Sequence, residues 1–170
     1  VRGIDFETNL FELLALEKST NLILGSSFVS RFQKDNNPKF NLPQNVGVYG
    51  LRSNLVSGNF NYYLEYVHKY NDPAGSIADN SNNYATGNAI RTSLTYFQKG
   101  LGFSFDAHRV DNMEFRSERQ QSKEYIINYI PTLSKQHSYT LLAFYPCATQ
   151  SNGEIGFQSD LYYKFDRGTT

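Results

Sequence analysis

Apolar and polar residues alternate along two stretches of the chain in a way that fixes strands and also their pairing. Over residues 46–70 the dipeptide Gly58-Asn59 is a two-residue turn signal, so residues equidistant from it face each other. Leu55 then meets Tyr62, Ser53 meets Leu64, Leu51 meets Tyr66 and Tyr49 meets His68 on one face, while Asn54 meets Tyr63 and Arg52 meets Glu65 on the other. Lys99-Gly100 does the same for residues 88–110. It pairs Tyr96 with Phe103, Leu94 with Phe105 and Thr92 with Ala107 on an apolar face, and Thr95 with Ser104, Ser93 with Asp106 and Arg91 with His108 on a polar one. A slip of one residue would mix the faces of both hairpins, so the register is strongly specified.

The same alternation predicts further strands, about nine in all. Residues 3–14 place Ile4, Phe6, Thr8 and Leu10 against Asp5, Glu7 and Asn9; residues 20–32 carry Leu22, Leu24, Phe28 and Phe32 on their apolar face. Residues 11–16 have the Leu and Glu content of a helix, but the alternation assigns 11–14 to the first strand and 15–19 to a turn. Strands are also expected over 124–131, 137–147 and 154–165. The last has Ile155, Phe157, Leu161, Tyr163 and Phe165 on one face and Glu154, Gln158, Asp160 and Lys164 on the other.

Connections alternate between short (15–19, 58–59, 99–100, 132–136) and long and polar (33–44, 71–87, 111–123), with a loop over 148–153. Outer-membrane barrels have short periplasmic turns and long external loops, whereas a soluble meander has no physical reason to gather its long loops at one end. A strand of about twelve residues, at ~3.3 Å each and tilted by ~40–45°, rises ~28 Å, close to the ~25 Å apolar band of such barrels. The fold expected is therefore all-β, an antiparallel up-and-down transmembrane β-barrel, incomplete within this chain. Arg52, Glu65, Arg91, Asp106, His108, Asp160 and Lys164 are expected mid-strand and facing a lumen, with Arg52 and Glu65 ion-paired across their turn. A soluble antiparallel barrel or sandwich, with those residues in solvent, is the competing architecture.

Composition alone resembles a soluble domain: zero formal net charge, 39% hydrophobic residues and a mean hydropathy of -0.52. No apolar run approaches the ~20 residues of a membrane helix, but barrels escape that test because only alternate residues meet lipid. The 13 Tyr and 13 Phe, with no Trp, suit strands whose aromatic side chains sit at water–apolar boundaries. Neutral charge argues against a nucleic-acid partner. The chain opens on Val1-Arg2-Gly3 and closes on Asp166-Arg167-Gly168-Thr169-Thr170, a turn with no strand after it, so a fragment of a longer protein is expected. The single cysteine, Cys147, excludes an internal disulfide framework and reads as a small side chain near a strand end.

Ser104, Asp106 and His108 fall on one polar stripe, but alternate residues of a strand stand ~6.5–7 Å apart, too far for an easy hydrogen-bonded relay. No Gly-x-Ser-x-Gly elbow is present. Asp72, Asp79, Asn80 and Asn82 offer oxygens for Ca²⁺ without the spacing of an EF-hand, and read as a solvated loop. His68, His108 and His137 lack metal-ligand spacing. No enzyme, metal or cofactor is expected.

Residues 2–18 (RGIDFETNLFELLALEK), 30–35 (SRFQKD), 70–84 (YNDPAGSIADNSNNY), 110–119 (VDNMEFRSER), 128–139 (NYIPTLSKQHSY) and 145–165 (YPCATQSNGEIGFQSDLYYKF) resemble a family of Bacteroidota outer-membrane β-barrel proteins of unknown function. The resemblance implies a bacterial outer-membrane location, lipid and other envelope proteins as partners, a parent several times longer, and an accessory place beside secretion and gliding machinery. It transfers no active site. Lumen residues of both signs form no single-charge filter, and their pairing favours a structural or interaction barrel filled by its own side chains. The alternatives are a porin-like passage or ligand-binding barrel and, third, a soluble ligand-binding β protein.

Overall fold

The structure is a computed structural model, described for residues 1–14, 19–34, 43–70, 72, 86–118, 127, 133 and 149–165. Seven strands form one sheet in sequence order: β1 (Arg2–Asn9), β2 (Thr20–Phe32), β3 (Asn45–Ser57), β4 (Phe60–Lys69), β5 (Gly87–Gln98), β6 (Leu101–Asp111) and β7 (Gly153–Tyr163). All six ladders are antiparallel, and each keeps one register throughout with no bulge. The sheet is open, with β1 and β7 as its edges.

Both hairpins have the pairing that the sequence dictates. Leu55 faces Tyr62 and Arg52 faces Glu65 across Gly58-Asn59, and Leu94 faces Phe105 and Arg91 faces His108 across Lys99-Gly100. The turns hold because Gly58 (φ 55°) and Gly100 (φ 82°) occupy the left-handed region that other residues enter at a cost. The connections after β1, β3 and β5 lie at one end of the sheet. The longer ones, after β2, β4 and β6, lie at the other.

Three expectations need correction. The first strand stops at Asn9, because the Asn9 side chain accepts a hydrogen bond from the Phe11 amide (3.3 Å) and caps a four-residue helix α1 (Leu10–Leu13). A polar cap followed by Leu and Glu outweighs the alternation there. Second, β6 is hydrogen-bonded directly to β7, so no strands from 124–131 and 137–147 are interposed between them; those ranges lie almost wholly outside the described residues, as does Cys147. Third, Lys164 stands just past β7 and is exposed rather than mid-strand.

Register partners share a face, which sorts every strand residue. One face carries Asp5, Glu7, Arg31, Arg52, Glu65, Lys69, Arg91, Asp106, His108, Glu154 and Asp160. On the other, the charged strand residues are Arg2, Arg109 and Asp111, all near the long-connection end. The polar face is shielded toward the long-connection end, whereas Asp5 and Glu7 on β1, and Val56, Phe97 and Tyr162 nearer the short turns, are exposed on it. Arg31, Lys69, His108, Val46 and Val110 on it are buried, and Met113 and Phe115 complete the buried apolar residues among those described. On the apolar face, by contrast, Ile4, Phe6, Phe28, Leu51, Phe60, Ile90, Phe157 and Leu161 are exposed. This inverts the rule for soluble sheets, which bury the apolar face and hydrate the polar one.

Candidate functional site

The polar face is the candidate site, and it has three clusters. The first is built on β1, β2 and β3. Arg52 reaches Asp5 (2.8 Å) and Glu7 (3.0 Å) on β1, passing over β2, and also donates to Ser27 Oγ (2.7 Å). Ser27 in turn donates to Asp5 (2.5 Å). The crossing is possible because Gly25 is the register partner of Arg52: a Cβ added at Gly25 would lie 2.5 Å from Arg52 Nε. The expected Arg52–Glu65 ion pair is therefore not formed, although the two residues do stand opposite each other. Two carboxylates across a glycine outcompete one carboxylate on the neighbouring strand. Glu65 instead accepts a hydrogen bond from Tyr63 Oη (2.9 Å).

The second cluster lies on β6 and β7. His108 Nε2 and Glu154 Oε1 are 2.8 Å apart, and the other Glu154 oxygen accepts from the Gln150 amide (2.7 Å). His108 faces Gly156, where an added Cβ would lie 3.4 Å from its Nε2. Its carboxylate partner is thus Glu154 and not Asp106. Ser104 and Asp106 share the face with His108 as expected, in register with Asp160 and Gln158. Gln158 donates to Asp160 (2.9 Å).

The third cluster lies against the polar face at the long-connection end. Asn112 (φ 46°) takes a left-handed conformation that asparagine tolerates, and the chain turns out of β6 onto the polar face. Residues Met113, Glu114, Phe115 and Arg116 are all buried there. Lys69 Nζ donates to the Glu114 carbonyl (2.9 Å) and Arg31 Nη1 to the Arg116 carbonyl (2.8 Å). Arg31 also pairs with Asp72 (2.9 Å), both side chains being at most 1% exposed, and its guanidinium lies 5.4 Å from the Phe115 ring centre. Glu114 and Arg116 are ion-paired with each other. Lys69 faces Gly87, whose added Cβ would lie 3.0 Å from Lys69 Cε.

Of the residues singled out from sequence, Arg52, Glu65, Arg91, Asp106, His108 and Asp160 therefore share the polar face, and Lys164 lies beyond it. Arg31, Lys69 and the 113–116 segment were not among the residues expected from sequence. The available signal was parity: Arg31 and Lys69 fall on the polar face of their strands, next to long connections. Asp72, considered as a calcium ligand, serves Arg31; Asp79, Asn80, Asn82 and His137 lie outside the described residues.

The apolar face has aromatic groups near both ends. Phe60 packs at a tilt against Tyr96 (4.6 Å) at the short-turn end, while Tyr49 gathers Tyr66 (6.5 Å), His68 (5.3 Å) and Tyr70 (5.9 Å) toward the other.

Fold and site together define an all-β protein, a seven-stranded antiparallel up-and-down sheet with most of its strand charges on one face. The chain belongs to the family of unknown function DUF6029, which it matches over residues 1–170. No curated protein and no solved structure matches it.

Proposed function

We propose that this chain is part of a transmembrane β-barrel of the bacterial outer membrane, of the Bacteroidota kind that its sequence resembles. In this proposal it acts as a non-catalytic structural or interaction barrel in contact with lipid and other envelope proteins. The observation that carries the proposal is the inverted patterning: exposed aromatic and aliphatic residues on one face, buried charges on the other. Water around the sheet would penalise the exposed apolar face at ~25 cal/mol per Å², whereas lipid rewards it. The two aromatic groups on that face match the girdles at the interfaces of such barrels, and its three charges lie near one end, where headgroups and water begin.

The buried 113–116 segment supports a closed barrel over a passage, because it occupies the polar face at the long-connection end. The alternative is a porin-like passage, favoured by the mixed-sign charges along the rest of that face, which suit a wet lumen. An accessory role beside secretion or gliding machinery rests on the resemblance alone. The test of the main proposal is fractionation of cells making the full-length protein, with gel migration before and after boiling in detergent. Outer-membrane recovery with a heat-dependent shift is expected; recovery in the soluble fraction with no shift would overturn it.

A further inference from the structure

We infer that β1 and β7 are not neighbours in the closed barrel, and that an odd number of further strands of the same polypeptide lies between them, the first on the free edge of β7. This rests on the barrel proposed above, but its basis is strand direction. β1 and β7 both run from the long-connection end to the short-turn end, since five strands of alternating direction separate them. Pairing them directly would make a parallel ladder, and every ladder present is antiparallel. A barrel in which all neighbours are antiparallel has an even number of strands, so seven cannot close alone.

A second copy does not solve the problem. In the same membrane orientation its β1 would meet β7 in parallel again, whatever the number of copies. Only an inverted copy would give an antiparallel junction, and it would put long connections on both sides of the membrane.

Among the described residues β1 and β7 each pair on one side only. Neither contains a proline or a bulge, two of the devices that keep an edge unpaired. Every pair of neighbours in the sheet is also consecutive in sequence, which favours the next strand of the polypeptide as the occupant. The β7 ladder continues past the strand itself, through Lys164 N–H donating to the Gly100 carbonyl (2.8 Å), to the end where neighbouring connections need two residues. The occupant's chemistry follows from β7. Opposite Ile155, Phe157, Leu161 and Tyr163, which are 61–79% exposed, it must be apolar.

The experiment places a photoreactive benzoylphenylalanine at Ser159, or in a second variant at Leu161, in the full-length protein in its own membrane. Light- and heavy-isotope proteins are made together. Ser159 is the register partner of Phe105, so an adduct with the β6 peptide is the internal control. A second adduct is expected with a peptide of the same polypeptide other than β1, in pure-isotope form. An adduct with residues 2–9, a mixed-isotope adduct, an adduct with a different protein, or no adduct beyond β6 would each overturn the inference. Failure of the barrel proposal itself is seen separately, as soluble protein without a heat shift before irradiation.

Discussion

An arginine on the apolar face at mid-height separates a lipid-facing sheet from a solvated one. Leu64 faces Ser53 and Thr92, and Thr92 lies five residues from Gly87 and six from Gln98, the two ends of β5. Leu64 is therefore near mid-height. Leu94 is two residues further toward the short-turn end, ~6.6 Å along the strand and, at a tilt of ~40–45°, ~5 Å off mid-height. An outward arginine costs ~2–4 kcal/mol at the bilayer midplane and ~0–1 kcal/mol near the interfaces. Leu64→Arg is thus expected to cost ~2–4 kcal/mol, Leu94→Arg somewhat less, and Tyr96→Arg ~1 kcal/mol or less. On the polar face, Ser93→Arg stands opposite Asp106 and Tyr63, and an attractive, part-exposed partner limits its effect to ~1 kcal/mol. Were the apolar face in water, Leu64→Arg would fall within the ~0.5 kcal/mol usual for surface changes. The assay is denaturant titration of the full-length protein refolded into lipid vesicles, following the heat-shifted band. Equal midpoints for Leu64→Arg and Ser93→Arg would refute the face assignment, and loss of the depth order would refute the bilayer.

Gly25→Ala is expected to destabilise only while Arg52 is present, because its Cβ displaces that side chain from Asp5 and Glu7; a double-mutant cycle with Arg52→Ala measures this, and additive losses would count against it. Asp72→Asn leaves the Arg31 guanidinium buried without its counter-charge and is expected to cost ~3–5 kcal/mol, with little relief from salt, in the same denaturant titration; a loss below ~1 kcal/mol would show the pair to be hydrated. In planar bilayers the full-length protein is expected to pass no steady current, and Arg31→Ala with Lys69→Ala, which removes both side-chain donors to the 113–116 carbonyls, to produce openings. Steady conductance in the unaltered protein would favour the passage alternative.

Both hairpins were legible residue by residue because a two-residue turn gives an origin from which to count, and alternation then assigns each side chain to a face. The reach of a side chain was not. Arg52 turns away from Glu65 because Gly25 stands on its other side, and that adjacency depends on the pairing of β2 with β3 across a long connection with no origin to count from. The direct contact of β6 with β7 was hidden for the same reason: local alternation finds strands, but does not say which ones meet after a long excursion. At Leu10–Leu13 the alternation itself misled, since Leu10 and Leu14, four residues apart, share a face in a helix as well as in a strand, and the Asn9 cap decides between them. The 113–116 segment carries no periodic signal, and its partners Arg31 and Lys69 belong to strands far away in sequence.

Three inward polar side chains share one device that bears on what the polar face does. Arg52, Lys69 and His108 each have a glycine as register partner, Gly25, Gly87 and Gly156; a Cβ would press on Arg52 at Gly25, on the Asn112 carbonyl and the Lys69 stem at Gly87, and on Leu133 at Gly156, where His108 would be in ordinary contact. At Gly25 the missing side chain lets the long Arg52 side chain lie along the sheet, across β2 to β1, instead of standing away from it. In a barrel such groups line the wall, so ion pairs between them do not span the lumen; the Arg52 network, for example, stays within β1, β2 and β3. What occupies the space above the wall at the long-connection end is backbone, the 113–116 carbonyls that Arg31 and Lys69 hold. In the proposed barrel, closure would therefore belong to a chain segment that two cations fasten, and the charges elsewhere on the face would keep the remaining lumen wet.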